Sequence, residues 1–117
     1  IVKEEELAAL MRHAMAMINP SLFEGWSTTV EEAKSLGKRI LLSDIPVHKE
    51  QAPERGIFFP PHEPEALAEA LQSVMENFDP AVEAAAARRA AARLIDRQQA
   101  FGRAYEALVK QLLFPGA

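Results

Sequence analysis

A chain of 117 residues with 13 Lys and Arg against 17 Asp and Glu has room for one modest core, and its net charge of −4 leaves no electrostatic footprint for nucleic acid. It has no cysteine, which excludes disulfides and thiolate metal sites and suits a reducing compartment such as the cytoplasm. No apolar run approaches the roughly 18 residues that a membrane span needs, and the acidic start Lys3-Glu4-Glu5-Glu6 is not a signal sequence, so a soluble protein without a transmembrane segment is expected.

Ile1-Val2 stands directly ahead of that acidic cluster, as though a preceding strand or loop had been cut, and the chain reads as a fragment of a longer protein. Glu4 to about Ala14 carries Leu7, Leu10, Met11 and Ala14 at helical spacing, with acidic residues in the first turn where they oppose the positive end of the helix dipole. Met15 to Ile18 is short, apolar and stopped by Asn19-Pro20, which predicts a buried strand of a parallel sheet. A polar loop follows, then a helix from about Thr28 to Leu36 that ends at Gly37, a residue suited to a left-handed stop. Ile40 to Leu42 predict the next strand, Val47 to about Ala52 a short helix, and Gly56 to Phe59 a third strand closed by Pro60-Pro61. Glu63-Pro64-Glu65 opens another helix with proline in its first turn, and Leu67, Ala70, Leu71, Val74, Met75 and Phe78 form its core stripe.

Asp79-Pro80 then breaks the chain, and two helical segments are expected beyond it. One is alanine-rich and covers 81–93; the other runs from about Gln99 to Leu113, with Phe101, Tyr105, Leu108, Val109, Leu112 and Leu113 along one face. Alternating helices and strands over 1–78 predict an α/β core with a parallel sheet of about three strands, and 79–117 form a helical C-terminal extension.

The loop between the first strand and the second helix carries the chemistry. It reads Asn19-Pro20-Ser21-Leu22-Phe23-Glu24-Gly25-Trp26-Ser27-Thr28-Thr29. Gly25 lets the backbone pass close to a ligand, and the helix start offers free N–H groups that attract phosphate. Glu24 and Glu32 bracket the turn with seven residues between them and are expected to face the mouth of one crevice. A carboxylate is repelled by phosphate, so each is better suited to accept hydrogen bonds from hydroxyls on either side of it. A nucleotide-sugar has that layout.

At these residues the sequence resembles the group 1 family of retaining glycosyltransferases, family 4, which have the two-domain GT-B architecture. The resemblance lies at Pro20, Ser21, Glu24, Gly25, Trp26, Ser27, Glu32, Ala33 and Gly37, and continues at Ser43-Asp44-Ile45-Pro46-Val47 and over Phe59 to Leu71. It covers roughly residues 4 to 78. It implies a partial Rossmann-like sheet forming the C-terminal, donor-binding half of such an enzyme. Glu24 would sit at the catalytic centre on the hydroxyls of the transferred sugar, Glu32 would hold the ribose diol, and backbone N–H groups from Gly25 through Trp26 and Ser27 to Thr28 would hold the sugar or diphosphate. Trp26 stands where phenylalanine is commoner, and Ser27, Thr28 and Thr29 replace a small-Leu-Pro pattern, so their hydroxyls add phosphate donors. The implied donor is a UDP- or GDP-sugar, the group moved is hexosyl, and no cofactor or metal is implied. The acceptor-binding N-terminal domain lies outside these residues, so the chain alone is expected to be inactive. The resemblance places the full-length enzyme in the cytoplasm, with peripheral attachment at the inner membrane face as a variant.

Other readings of the same residues bear on these roles. Thr28-x-x-Glu31 and Thr29-x-x-Glu32 are both capping-box patterns; the resemblance makes Glu31 the cap and Glu32 the ligand residue. Ser21, His48 and Asp44 do not make a nucleophilic triad, because no sharp nucleophile turn surrounds Ser21. His48 and His62 lack the helical spacing of metal ligands. A second reading makes the chain a non-catalytic assembly module, a homo-oligomer held by its C-terminal helices.

Overall fold

A computed structural model describes residues 1–116. In chain order the elements are α1 (Glu4–His13), β1 (Met17–Asn19), α2 (Thr28–Leu36), β2 (Ile40–Ser43), α3 (Pro46–Gln51), β3 (Gly56–Phe59), α4 (Pro64–Glu76) and α5 (Pro80–Leu113). The strands form one parallel sheet in the order β1-β2-β3, with Met17 beside Ile40 and Ile40 beside Gly56. This is the expected α/β fold, a three-stranded parallel sheet flanked by helices and followed by a long C-terminal helix.

All four residues of β2 are buried because the sheet is covered on both faces. Alternating side chains divide the core: Ile40 and Leu42 pack with Val30 and Ala33 of α2, while Leu41 packs with Phe59 and Val74 beneath α4. The first strand begins two residues later than Met15. Ala14 and Met15 bend, and pairing starts where the Met17 amide donates to the Arg39 carbonyl at 2.9 Å. On α4 the stripe of Leu67, Ala70, Leu71 and Val74 packs inward, but Met75 is exposed and Phe78 lies past the end of the helix.

Gly37 stops α2 in the left-handed conformation, with φ of 66°. A Cβ there would also meet the Ala86 carbonyl oxygen at 2.5 Å, so the same glycine lets α5 cross the end of α2. The two helical segments expected after Asp79 are one continuous helix of 34 residues. Residues 94–98 contain no glycine or proline, so nothing breaks the helix between the alanine-rich and the amphipathic halves. Its first half is held by Ala86 and by Glu83, which pairs with Arg55 at 2.6 Å. Beyond Ala90 nearly every residue is exposed, and the helix stretches the molecule to 59 Å against 31 and 30 Å across. Among the described residues no helix is long and apolar enough to cross a membrane.

Candidate functional site

The C-terminal ends of β1 and β2 deliver Asn19 and Ser43, both buried, into the loop that precedes α2. The Asn19 side chain organises that loop. Its Oδ1 accepts from the Ser21 amide at 3.1 Å, and its Nδ2 donates to Glu24 Oε1 at 2.9 Å and to Ser27 Oγ at 3.0 Å. The Ser21 hydroxyl donates to the same Glu24 oxygen at 2.6 Å, and the Ser43 hydroxyl ties β2 to the Ser21 carbonyl. Two neutral donors, Asn19 and Ser21, thus fix the direction of one carboxylate.

Burial pushes the Glu24 carboxyl up, but hydrogen bonds from Ser21, Asn19 and Ser27 and the charge of His48 outweigh it and hold the group down at about 2. Glu24 is therefore ionised throughout the neutral range. Its second oxygen, Oε2, makes no hydrogen bond and lies 3.7 Å from Nε2 of His48. The His48 ring is fully buried, and its Nδ1–H donates to the Ser43 carbonyl at 2.8 Å. A carbonyl only accepts, so Nδ1 carries a proton, and Nε2 faces Glu24 without a hydrogen bond.

Ser27 is the N-cap of α2. Its Oγ accepts from the Val30 amide at 3.4 Å, so neither of the two threonine capping boxes forms. The expected cap, Glu31, instead takes Lys34 Nζ at 3.1 Å and Gln51 Nε2 at 3.0 Å. Gln51 is buried and also grips the helix start, its Oε1 accepting from the Ser27 amide at 3.3 Å and its Nε2 donating to the Ser27 carbonyl at 2.9 Å. The amide of Ser27 is thus spent inside the protein, and its Oγ already accepts from Asn19 and from the Val30 amide. Among the described residues the amides of Gly25, Trp26, Thr28 and Thr29 donate to no protein acceptor, the condition of a helix start open to an anion.

Glu24 and Glu32 do not share one crevice mouth. Val30 and Ala33 turn their face of α2 to the sheet, and Glu32, about 200° round the helix from Val30, points off it. There it lines a cavity of about 400 Å³ with Trp26, Thr28 and residues of α1, including Leu7 and Met11. Glu24 is turned inward to Asn19 and Ser21 instead. Trp26 is more than half exposed and belongs to that cavity wall rather than to the core. The gap between the two carboxylates is bridged by the loop carrying the unpartnered amides.

Asn19 and Gln51 are positioning groups that sequence reasoning did not single out, and His48 was weighed only for a triad or a metal site. The Asn19-Pro20 pair signalled the end of a strand and nothing more. Ser21, His48 and Asp44 form no triad: Ser21 donates to Glu24, and Asp44 pairs with Lys49 at 2.9 Å. Among the described residues no group of three His, Cys, Asp or Glu is placed to hold a metal ion.

Comparison with known families matches residues 2–94 to the model described as glycosyl transferases group 1. Comparisons with curated proteins and with solved structures find no match.

Proposed function

The chain belongs to the group 1 glycosyl transferases, and from that membership we propose that it is the donor-binding part of an enzyme that moves a hexosyl group from a nucleotide-diphospho-sugar to an acceptor with retention of configuration. The observation that carries this is the loop from Asn19 to Thr29. It holds an ionised carboxylate with one oxygen free, a run of unpartnered amides at a helix start, and a second carboxylate beside a cavity beyond them. A donor laid along it would place sugar hydroxyls on Glu24 Oε2, the diphosphate on the amides of Gly25, Trp26, Thr28 and Thr29, and the ribose diol on Glu32.

In the transfer step the acceptor oxygen bonds to the anomeric carbon on the face from which the diphosphate departs. The acceptor hydroxyl's proton passes to the leaving diphosphate as its bond to that carbon breaks. Negative charge then grows on the leaving diphosphate, where the α2 dipole and the free amides oppose it; one such preorganised donor is worth roughly 3 kcal/mol. Glu24 orients the sugar and stays charged without a proton to give, since its carboxyl is held at about 2. A domain outside these residues holds the acceptor, so the 117-residue chain binds donor without turning it over. The donor is a UDP- or GDP-sugar, and the enzyme works in the cytoplasm or at the inner membrane face.

Calorimetric titration with a panel of UDP- and GDP-sugars tests this. One nucleotide class should bind, and Glu32→Ala should weaken it at least about tenfold while leaving the far-UV circular dichroism unchanged. Equal affinity in wild type and Glu32→Ala, or product formed by the chain alone, would contradict the assignment.

The exposed face of α5 favours a second reading, self-association, because Phe101, Tyr105, Leu108 and Leu112 are all more than half exposed and Phe101 stacks on Tyr105 with ring centroids 6.3 Å apart. Sedimentation equilibrium should then give a mass above the monomer that falls for Tyr105→Ser with Leu112→Ser. A monomer at high concentration removes this reading.

A further inference from the structure

The C-terminal ends of the strands carry Glu24 and His48; their N-terminal ends carry Lys38 just ahead of β2 and Arg55 just ahead of β3. At that opposite end α5 crosses the end of α2, and the two helices and the connection between α3 and β3 enclose a cavity of about 230 Å³. Lys34, Lys38, Arg55, Arg89, Arg93 and Arg97 line it, with Glu54 the one carboxylate in its wall. On a chain of net charge −4 this is a marked local excess of cations.

Four of the six are engaged within the protein. Lys34 reaches Glu31 and the Gln51 carbonyl, Lys38 the Ala14 carbonyl, Arg55 both Glu83 and the Gly37 carbonyl, and Arg93 pairs with Glu54. Carbonyls at the C-terminal ends of α1, α2 and α3 therefore explain part of the cluster. They do not explain Arg89 and Arg97, which among the described residues make no hydrogen bond or ion pair. With Arg93 they stand four residues apart on α5, a spacing at which like charges repel along a helix. Facing the six cations are Glu54 in the wall and Glu31 and Glu83 beside it, with Asp96 one turn from Arg93 on α5. Burial pushes the Lys38 ammonium below its usual range, Glu83 pulls it back, and Arg55 pushes it down again.

We propose that this cleft binds a phosphate-bearing anion, held by the guanidinium groups of Arg89 and Arg97 with Arg93 between them. Planar N–H forks suit phosphate oxygens, and an anion seated there would relieve the repulsion along α5. The phosphate is either a free diphosphate or the headgroup of an anionic lipid. The site lies at the far end of the sheet from Glu24, so donor binding there and anion binding here can succeed or fail independently.

The test titrates the isotope-labelled full chain with inorganic pyrophosphate at low salt, following amide shifts, and in parallel measures its sedimentation with phosphatidylglycerol vesicles against phosphatidylcholine vesicles. Arg89→Gln with Arg97→Gln is compared with Arg88→Gln with Arg103→Gln, which removes the same charge from exposed positions outside the cleft. Saturable shifts at Gly37 and Ala90 that weaken at least about tenfold in the first variant only assign the site to free diphosphate. Sedimentation with anionic vesicles alone, lost in that variant only, assigns it to a headgroup. Binding to neither probe, equal losses in both variants, or shifts confined to Gly25–Thr28 would overturn the proposal.

Discussion

Acid should act on this protein most strongly through Glu24. Its carboxyl is held at about 2 in the folded chain against an ordinary 4.5, so the ionised group contributes stability that is complete above the unfolded value and disappears as pH falls from about 4.5 towards 2. A gap of that size corresponds to about 3 kcal/mol at neutral pH. Glu24→Gln keeps an acceptor for Asn19 and Ser21 but loses the charge that strengthens both bonds, so it should forfeit roughly 2–3 kcal/mol at pH 7. Urea unfolding of wild type and Glu24→Gln, followed by circular dichroism at steps from pH 7 to pH 2.5, measures this. Glu31 and Glu83, whose carboxyls are also held below their usual range, titrate equally in both proteins and cancel in the difference. The stability gap should close as pH drops below about 4.5. A gap of constant size across that range would show that Glu24 is not held ionised by its neighbours, and the geometry assigned to the loop would be wrong.

Gly37→Ala adds a Cβ at φ of 66° and 2.5 Å from the Ala86 carbonyl, so it should cost more than the roughly 1–2 kcal/mol of the left-handed conformation alone and lower the thermal midpoint by several degrees. An unchanged midpoint would mean that α5 does not cross α2 there. Gln51→Ala removes three hydrogen bonds that hold Ser27 and Glu31, leaves the buried Ser27 amide without an acceptor, and should cost about 1–3 kcal/mol. Hydrogen exchange should then speed up at Val30 and Glu31 ahead of the β2 amides; uniform acceleration would contradict a local role. Leu41→Ala opens the layer between Phe59 and Val74 and should cost roughly 2–5 kcal/mol by urea unfolding, and a loss under 1 kcal/mol would deny it a core place.

The fold was largely legible because its signals are local. Apolar runs bounded by Asn19-Pro20 and Pro60-Pro61 marked strand ends, and Gly37 marked the end of α2. The single α5 helix was not: residues 94–98 carry no breaker, but an exposed helix leaves no apolar stripe to read through the junction. The site divides in the same way. Glu24, Gly25, Trp26 and Glu32 stand out by spacing, but Asn19 acts through bonds to Glu24 and Ser27 that follow no standard motif spacing, and Gln51 acts on Ser27, 24 positions away, which no local pattern records. Two threonine capping boxes matched the sequence, yet Ser27 took the cap because Asn19 pins its hydroxyl beside the Val30 amide. Where each carboxylate points was equally hidden, as Glu24 follows the buried Asn19 and Glu32 follows the face of α2 that packs on the sheet.

Amide shift mapping of the labelled chain with nucleotide-diphospho-sugars is the most direct measurement of whether the loop holds a donor. The unpartnered amides of Gly25, Trp26, Thr28 and Thr29 should move together and saturate at one affinity, with Glu32 and the α1 side of its cavity responding to the nucleoside. If no donor in a UDP and GDP panel moves those amides, or if the shifts fall only along α5, the loop between β1 and α2 is not a donor site.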